Sequence, residues 1–276
     1  MTNFFKSLDG GQTWSSGAFN QAPAFALAID PTNVNTLYLG TRDGIFKSLD
    51  GGVNWTLSFN SASTGLVSAL AVDPSAPGTL YAGADKGVFK TVNRGTSWTP
   101  VNQGLDQSSI RLLAVDPRIS SVVYAAGSKG IFKTTDRGSS WTPIPAGGIG
   151  TSISGLAVSS SPQQALYAGS PTGVLKSTDG GASWKPMNSG LRATRMDALV
   201  QDPFDSKTFF AIVPGIGILK SSDGGVKWEP RSHGLADLSF LEHLFIDPVN
   251  RGTLYATGAD GLFKTLEMLE TPGSAS

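Results

Sequence analysis

The chain is most tightly constrained by an eight-residue pattern that ends in tryptophan and occurs six times. The six tryptophans follow one another at intervals of 41, 43, 43, 43 and 44 residues. Self-similarity at a fixed period is typical of folds built by repeating one supersecondary unit. The octapeptides are SLDGGQTW (7–14), SLDGGVNW (48–55), TVNRGTSW (91–98), TTDRGSSW (134–141), STDGGASW (177–184) and SSDGGVKW (221–228).

Three further patterns recur in step with the octapeptide. They are variants of LAVDP, LYAG and GVFK, and the LAVDP-like segments begin at positions 27, 70, 113, 156, 199 and 244. Short apolar runs separated by Gly, Asn, Asp and Pro are typical of β-strands joined by turns. Proline ends the first run because it cannot extend a hydrogen-bonded ladder. Each repeat therefore predicts four antiparallel strands: A (LAVD), B (LYAG), C (GVFK) and D, which begins at the tryptophan.

A repeat of this length with four strands favours a propeller blade over a helical solenoid, because no 3.6-residue apolar periodicity accompanies it. The predicted fold class is all-β: a β-propeller with six blades of four antiparallel strands. We expect residues 1–267 to form a single propeller domain. Residues 268–276, which end in Gly-Ser-Ala-Ser, are expected to be a flexible tail.

Two terminal copies of strand C decide how such a ring closes. The first repeat begins with a strand C at Phe4–Ser7 and continues into strand D at Trp14. The last repeat supplies strands A, B and C as far as Lys264 but has no octapeptide. We expect closure by overlap of the N- and C-terminal strands, with the strand of Trp14 as the outer strand of the last blade. The alternative is a piece excised from a longer propeller, or an engineered repeat protein.

Composition excludes several classes of function. Lys and Arg total 21 and Asp and Glu total 21, so no net charge favours nucleic acid or an anionic membrane. The absence of cysteine excludes disulfides, thiolate metal sites and a cysteine nucleophile. We expect no metal and no cofactor, since no His, Asp and Glu spacing matches a zinc or calcium motif. Low charge favours a secreted or extracytoplasmic protein, although the chain shows no signal peptide.

The octapeptide resembles the Asp-box, or BNR repeat, and the resemblance extends from Phe5 to Lys264. It implies a hairpin between strands C and D, in which the aspartate accepts hydrogen bonds from its own turn and the tryptophan packs between blades. We expect these residues to be structural. They are Asp9, Asp50, Asn93, Asp136, Asp179 and Asp223, with Trp14, Trp55, Trp98, Trp141, Trp184 and Trp228.

In propellers of this kind the Asp-boxes lie on the face away from the binding site. On the opposite face, the residue two positions before the strand A leucine breaks the repeat: it is Phe25, Ser68, Arg111, Ser154, Asp197 and Glu242 in turn. Asp197 and Glu242 fall in adjacent blades, and paired carboxylates are what glycoside hydrolysis requires. Arg111 would orient a substrate. The alternative is a solvated funnel of compensating charges. Loop residues Arg42, Arg195 and Phe240 are further binding candidates.

The resemblance extends to three functional groups of Asp-box propellers. Sialidases need an Arg-Ile-Pro segment and a catalytic tyrosine, but that segment is absent and all five tyrosines fall in the strand B pattern. Xyloglucan-cleaving endoglucanases contain similar sequence repeats but use a cleft between two seven-bladed propellers. Sortilin-type receptors and a photosystem II assembly factor only bind, and many bacterial Asp-box proteins have no assigned role.

We therefore expect a non-catalytic binding or scaffold propeller that presents its variable face to a protein, peptide or glycan. The alternative is a glycan-active hydrolase, xyloglucanase-like rather than sialidase-like, that uses Asp197 and Glu242. A monomer is expected, with a strand-exchanged dimer as the alternative.

Overall fold

The computed structural model describes residues 5–6, 15–16, 19, 21–145, 152–159, 165–189, 196–202, 204–230, 241–246, 254–258 and 261–265. These residues form β-strands, with a single short helix, α1 (Ser61–Thr64). No helix in these ranges is long and apolar enough to span a membrane.

The strands form consecutive antiparallel sheets in chain order. The first two strands, β1 (Phe5–Lys6) and β2 (Ser15–Ser16), pair only with each other among the described strands. Sheet 1 contains β3 (Ala24–Asp30), β4 (Asn33–Thr41), β5 (Gly44–Ser48) and β6 (Thr56–Asn60). Sheet 2 contains β7 (Val67–Val72), β8 (Leu80–Ala84), β9 (Gly87–Thr91) and β10 (Thr99–Pro100). Sheet 3 contains β11 (Ile110–Val115), β12 (Val123–Gly127), β13 (Gly130–Thr134) and β14 (Thr142–Pro143).

The same order continues through the second half of the chain. Sheet 4 contains β15 (Gly155–Val158), β16 (Leu166–Ser170), β17 (Gly173–Ser177) and β18 (Lys185–Pro186). Sheet 5 contains β19 (Ala198–Gln201), β20 (Phe209–Val213), β21 (Gly217–Ser221) and β22 (Glu229–Pro230). Sheet 6 contains β23 (Leu241–Ile246), β24 (Leu254–Gly258) and β25 (Gly261–Thr265). The chain is therefore all-β, with five complete four-stranded sheets in the described part.

Neighbouring sheets pack face to face and share their cores. The strands A of consecutive sheets, from β3 to β23, pack against one another in sequence order. One buried cluster joins Tyr38 and Ile45 of sheet 1 to Leu80 and Phe89 of sheet 2. Strands B are buried along their whole described length in sheets 2 to 5 because a sheet covers each side. This explains why they read as continuous apolar runs rather than alternating ones.

Antiparallel pairing places the connections of every sheet at two opposite ends. The A–B and C–D connections, which include the octapeptides, lie at one end, which we call the octapeptide face. The B–C and D–A connections lie at the other end, which we call the rim face.

The expected overlap of the terminal strands is not seen among the described pairings. Instead of completing sheet 6, β2 pairs with β1, through Phe5 with Ser16 and Lys6 with Ser15. In the described part of the chain β25 pairs with β24 alone. The loop between β1 and β2 is far shorter than the one from β2 to β25, so its closure costs less entropy. The expected tail at 268–276 lies outside the described residues.

Candidate functional site

Strand A carries a β-bulge at its rim-face end. In sheet 3 the pairing shifts from Ile110 with Gly127 to Leu112 with Ala126, which leaves Arg111 unpaired in the ladder. The same shift occurs in sheets 1, 2 and 6. The residues left out of the ladder there are Phe25, Ser68 and Glu242.

Sheets 4 and 5 show the same two-against-one arrangement. The Ser154 N–H donates to the carbonyl of Gly169 at 3.0 Å, although Gly169 already pairs with Gly155. The Asp197 N–H donates to the carbonyl of Ile212 at 2.9 Å, and Ile212 already pairs with Ala198.

The residues that break the sequence repeat thus occupy one structural position, which we call the bulge column: Phe25, Ser68, Arg111, Ser154, Asp197 and Glu242. A bulge redirects its side chain relative to the rest of the strand, and bulges are common beside functional sites.

The bulge column carries an aromatic ring, Phe25, on sheet 1 and a positive charge, Arg111, on sheet 3. Arg111 is exposed, and no hydrogen bond or ion pair engages its guanidinium within the described ranges. The guanidinium carbon of Arg42, in the B–C loop of sheet 1, lies 5.7 Å from the ring centroid of Phe25. This is a cation–π contact that leaves the charge of Arg42 accessible.

The acidic half of the site is described only in part. Asp197 is half-buried at the start of sheet 5. The backbone of Glu242 lies in the bulge of β23, but its side chain lies outside the described part, as do Arg195 and Phe240 altogether. The structure therefore brings Arg111, Asp197 and the Glu242 backbone to one end of the molecule.

Several other rim-face charges are occupied in joining loops. Lys129 Nζ lies 3.0 Å from Asp106 Oδ2, and Lys86 Nζ donates to the carbonyl of Ala62 at 2.8 Å. The Asp85 carboxylate accepts the Leu66 N–H at 3.0 Å. These contacts hold the D–A and B–C loops of neighbouring sheets together, so the side chains are less available to a ligand than Arg111.

The octapeptide aspartates are saturated with hydrogen bonds. Asp136 accepts the Thr134 hydroxyl at 2.6 Å, the Ser140 hydroxyl at 2.6 Å and the Ser140 N–H at 2.9 Å. The Ser140 hydroxyl, with the other two donors, lowers the pKa of Asp136 to about 2. The bonds from Asn54 and Ser48 likewise lower the pKa of Asp50 to about 2. The pKa values of Asp179 and Asp223 are also lowered by hydrogen bonds.

The octapeptide turn depends on two successive residues in the left-handed region. Position 5 is glycine in all six copies, and Gly138 has φ of 88°. Position 4 is also left-handed, even where it is arginine: φ is 56° at Arg94 and 60° at Arg137. Asn93 replaces the aspartate in sheet 2 and keeps the turn, because its side-chain oxygen accepts the Ser97 N–H at 2.9 Å.

Each described octapeptide tryptophan lies at a boundary between sheets. Trp141 Nε1 donates to the carbonyl of Val101 in the preceding sheet at 2.8 Å, and Trp228 Nε1 donates to that of Met187 at 3.1 Å. Trp98 Nε1 donates to the Ser58 hydroxyl at 3.2 Å. Asp9 and Trp14, expected to act in the same way, lie outside the described residues.

A second boundary contact was not anticipated from the sequence. Lys47 Nζ and the Tyr38 hydroxyl of sheet 1 both donate to the carbonyl of Arg94 in sheet 2, at 2.7 and 3.0 Å. In the same way, Lys90 Nζ and the Tyr81 hydroxyl of sheet 2 both donate to the carbonyl of Arg137 in sheet 3. Burial raises the pKa of Tyr38 and of Tyr81 to about 12. The lysine present in every copy of the GVFK pattern was the sequence feature that could have predicted this contact.

The large exposed apolar side chains concentrate at the octapeptide face rather than at the rim. Leu49 and Val53 have 67% and 60% of their surface exposed. Exposed apolar patches can mark contact surfaces, so the octapeptide face is an alternative to the rim face as a binding surface. The residues at this face are Val34, Leu49, Val53, Val92, Ile119, Phe204 and Val226.

The described ranges contain no candidate metal-binding cluster, and they include one small cavity. No group of three His, Asp or Glu side chains there is placed to hold a metal ion. A cavity of about 100 Å³ lies at the octapeptide of sheet 5, lined by Lys220, Ser222, Asp223, Lys227 and Glu229. It is smaller than the roughly 300 Å³ of typical ligand pockets.

No protein-family model and no curated protein matches the chain. Solved structures with similar folds include a GH74 enzyme from Niastella koreensis, with a TM-score of 0.70 and 21% identity over 87% of this chain and 44% of that one. The GH74 xyloglucanase from Xanthomonas campestris aligns with a TM-score of 0.67 and 18% identity, over 94% of this chain and 48% of that one.

YCF48 bound to D1 peptide has a similar fold, with a TM-score of 0.74 and 15% identity over 95% of this chain and 85% of that one. The chain spans less than half the length of the two GH74 enzymes. At these identities the comparisons establish the fold, a β-propeller, and leave function to the residues.

Proposed function

We propose that this protein is a non-catalytic binding or scaffold propeller that presents its rim face to a protein, peptide or glycan. The observation that carries the proposal is the bulge column. Its side chains change from sheet to sheet while the strands that hold them repeat. A redirected position that varies on a constant scaffold is what a binding surface requires.

Arg111 and Arg42 are the proposed anchors on this surface. Both are exposed cations, and other rim-face lysines are already used in loop contacts. Arg111 can give paired hydrogen bonds to a carboxylate, or single ones to the hydroxyls of a sugar. Asp197, Glu242, Arg195 and Phe240 would complete the surface. YCF48, bound to a peptide in its structure, provides a precedent for a binding propeller of this size.

The proposal includes a ring of six blades closed by overlap of the N- and C-terminal strands. Phe19, three residues after β2, supports this closure. It is buried, and its ring lies 5.0 Å from Phe46 and 5.6 Å from Trp55 of sheet 1. Phe59, in strand D of sheet 1, packs in a similar way on Phe89 and Trp98 of sheet 2. These contacts support the proposal that the N-terminal strands belong to a blade that precedes sheet 1.

A second candidate is a glycan-active hydrolase in which Asp197 and Glu242 act as the paired carboxylates. Its support is the fold shared with GH74 enzymes and the position of both residues in the bulge column of adjacent sheets. A retaining or inverting mechanism would require the two carboxyl groups to be roughly 5 to 9.5 Å apart.

The binding proposal is tested by screening the protein against an immobilised panel of neutral and anionic glycans and a displayed peptide library. For the selected ligand, Arg111→Ala should weaken binding about tenfold or more, as expected for a lost charged hydrogen bond. Lys207→Ala is the matched control, because it removes an exposed cation at the octapeptide face. Binding that survives Arg111→Ala and Arg42→Ala but is lost in Leu49→Ser/Val53→Ser would contradict the proposal, as would a panel with no binder.

A further inference from the structure

Two strands of type C lie at the ends of the chain, β1 and β25, and both carry residues that can pair with the same strand D, β2. In sheet 3, strand D pairs with strand C through Lys133 with Thr142 and Phe132 with Pro143. The β1–β2 pair uses the same register, Lys6 with Ser15 and Phe5 with Ser16. β25 carries the same Phe-Lys pair as Phe263 and Lys264. Ser15 and Ser16 therefore fit β25 in the register that they now use on β1.

Among the described strands C of the six sheets, β25 differs in having a partner on one side only. In sheets 1 to 5, strand C lies between strands B and D, whereas β25 pairs with β24 on one side only within the described ranges. An open strand edge offers a row of backbone donors and acceptors to another strand. In the five complete sheets the occupant of this edge is always a strand that follows an octapeptide.

Phe19, three residues after β2, attaches the chain that follows β2 to the body of the protein. Phe19 is buried and contacts Phe46 and Trp55 of sheet 1. β1, in contrast, is a two-residue strand paired with β2 alone among the described strands. Exchange of partners on β2 therefore requires that β1 leaves.

We infer that β1 and β25 compete for β2, so that the sixth blade is a two-state element. In one state β2 pairs with β1, and no described strand occupies the free edge of β25. In the other, β2 of the same chain occupies that edge, the ring is closed and β1 is released. The occupant comes from the same chain because a tether raises its effective concentration above that of a second copy. This inference rests on the proposed ring closure and is independent of the ligand at the rim.

The test uses cysteine pairs, since the full chain has no cysteine of its own. Ser15→Cys/Lys264→Cys reports the closed state and Ser15→Cys/Lys6→Cys the open one. Lys133→Cys/Thr142→Cys is the matched control, since these residues are paired in a complete sheet. After mild oxidation, non-reducing electrophoresis and peptide mapping identify each disulfide. Paired strand positions lie within the distance that a disulfide spans.

We expect Ser15→Cys/Lys264→Cys to cross-link within one chain, to an extent comparable with the control pair. Phe5→Pro should raise the rate of this cross-link, because proline disrupts the pairing of β1. If this double variant forms no disulfide, or one that joins two chains, closure by the same chain is overturned. A disulfide formed at the same rate with and without Phe5→Pro would overturn the competition alone.

Discussion

Asp136 shows how one carboxylate can close a turn between two strands. Its oxygens accept hydrogen bonds from two hydroxyl groups and one backbone N–H of its own octapeptide, all within 2.9 Å. Little hydrogen-bonding capacity remains for a ligand. Asn93 preserves the same turn in sheet 2 without a charge, so the geometry needs the acceptor oxygen and not the negative charge.

The lowered pKa values make acid stability depend on these aspartates. Asp50 and Asp136 titrate with a pKa of about 2 in the folded protein, below the ordinary value of 3.8. A carboxylate with a lowered folded pKa stabilises the protein above its unfolded pKa, and this contribution is lost as the pH falls through the folded pKa. The free energy of unfolding should therefore decrease as the pH falls from about 4 to 2.

Asp136→Asn tests this contribution by urea unfolding between pH 5 and pH 2. We expect the variant to fold at neutral pH, as Asn93 does in its own octapeptide, and to lose less stability in acid than the parent. Asn93→Asp is the reverse control and should make the acid dependence steeper. Identical acid dependence in all three proteins would show that these carboxylates do not control it.

At the scale of elements, sheets 2 and 3 are joined by the segment that follows β10. The Trp141 N–H donates to the carbonyl of Gln103 at 2.8 Å, and Leu105 is fully buried between the sheets. Gly104 lies between them with φ of 90°, and a Cβ there would collide with the backbone carbonyl of Trp141. The absence of a side chain at Gly104 thus permits the close approach of the two sheets.

Gly104→Ala and Gly130→Ala separate backbone strain from this collision. Gly130 also has a positive φ, of 109°, but nothing lies within 4 Å of a Cβ placed there. We expect Gly130→Ala to destabilise the protein by about 1 to 3 kcal/mol through strain alone. Gly104→Ala should cost roughly 1 to 3 kcal/mol more, because the sheets must move apart. Chemical denaturation measures both, and equal losses would contradict the proposed close contact.

The strands themselves follow from the sequence, except for the extent of strand D. The repeat predicts strand D from the tryptophan onward, but β10 and β14 begin one residue later because the tryptophan turns into the sheet boundary. They end at Pro100 and Pro143. Beyond Pro100 the Val101 N–H still donates to the carbonyl of Val88 at 2.9 Å, but the Val88 N–H donates to the side-chain oxygen of Asn102 rather than to the strand. β6 has no proline and extends to Asn60.

At the scale of the whole molecule, local pattern predicts the sheets better than it predicts their closure. The octapeptides and the LYAG runs determine where each sheet begins and ends, because turn chemistry and apolar runs act locally. Closure is not fixed by pattern, because Phe5-Lys6 and Phe263-Lys264 are equivalent partners for one strand. Repeat-breaking residues locate the bulge column, but the bulge and the cation–π contact of Arg42 depend on packing between strands.

The most direct test of the binding account is to incubate the protein with soluble xyloglucan and other polysaccharides and to chromatograph the products. Asp197→Asn is incubated in parallel, because Asp197 is the described member of the proposed carboxylate pair. A non-catalytic propeller predicts that neither protein releases oligosaccharides, even where a polysaccharide binds. Release of oligosaccharides by the parent protein, lost in Asp197→Asn, would contradict the account and establish a hydrolase at the rim.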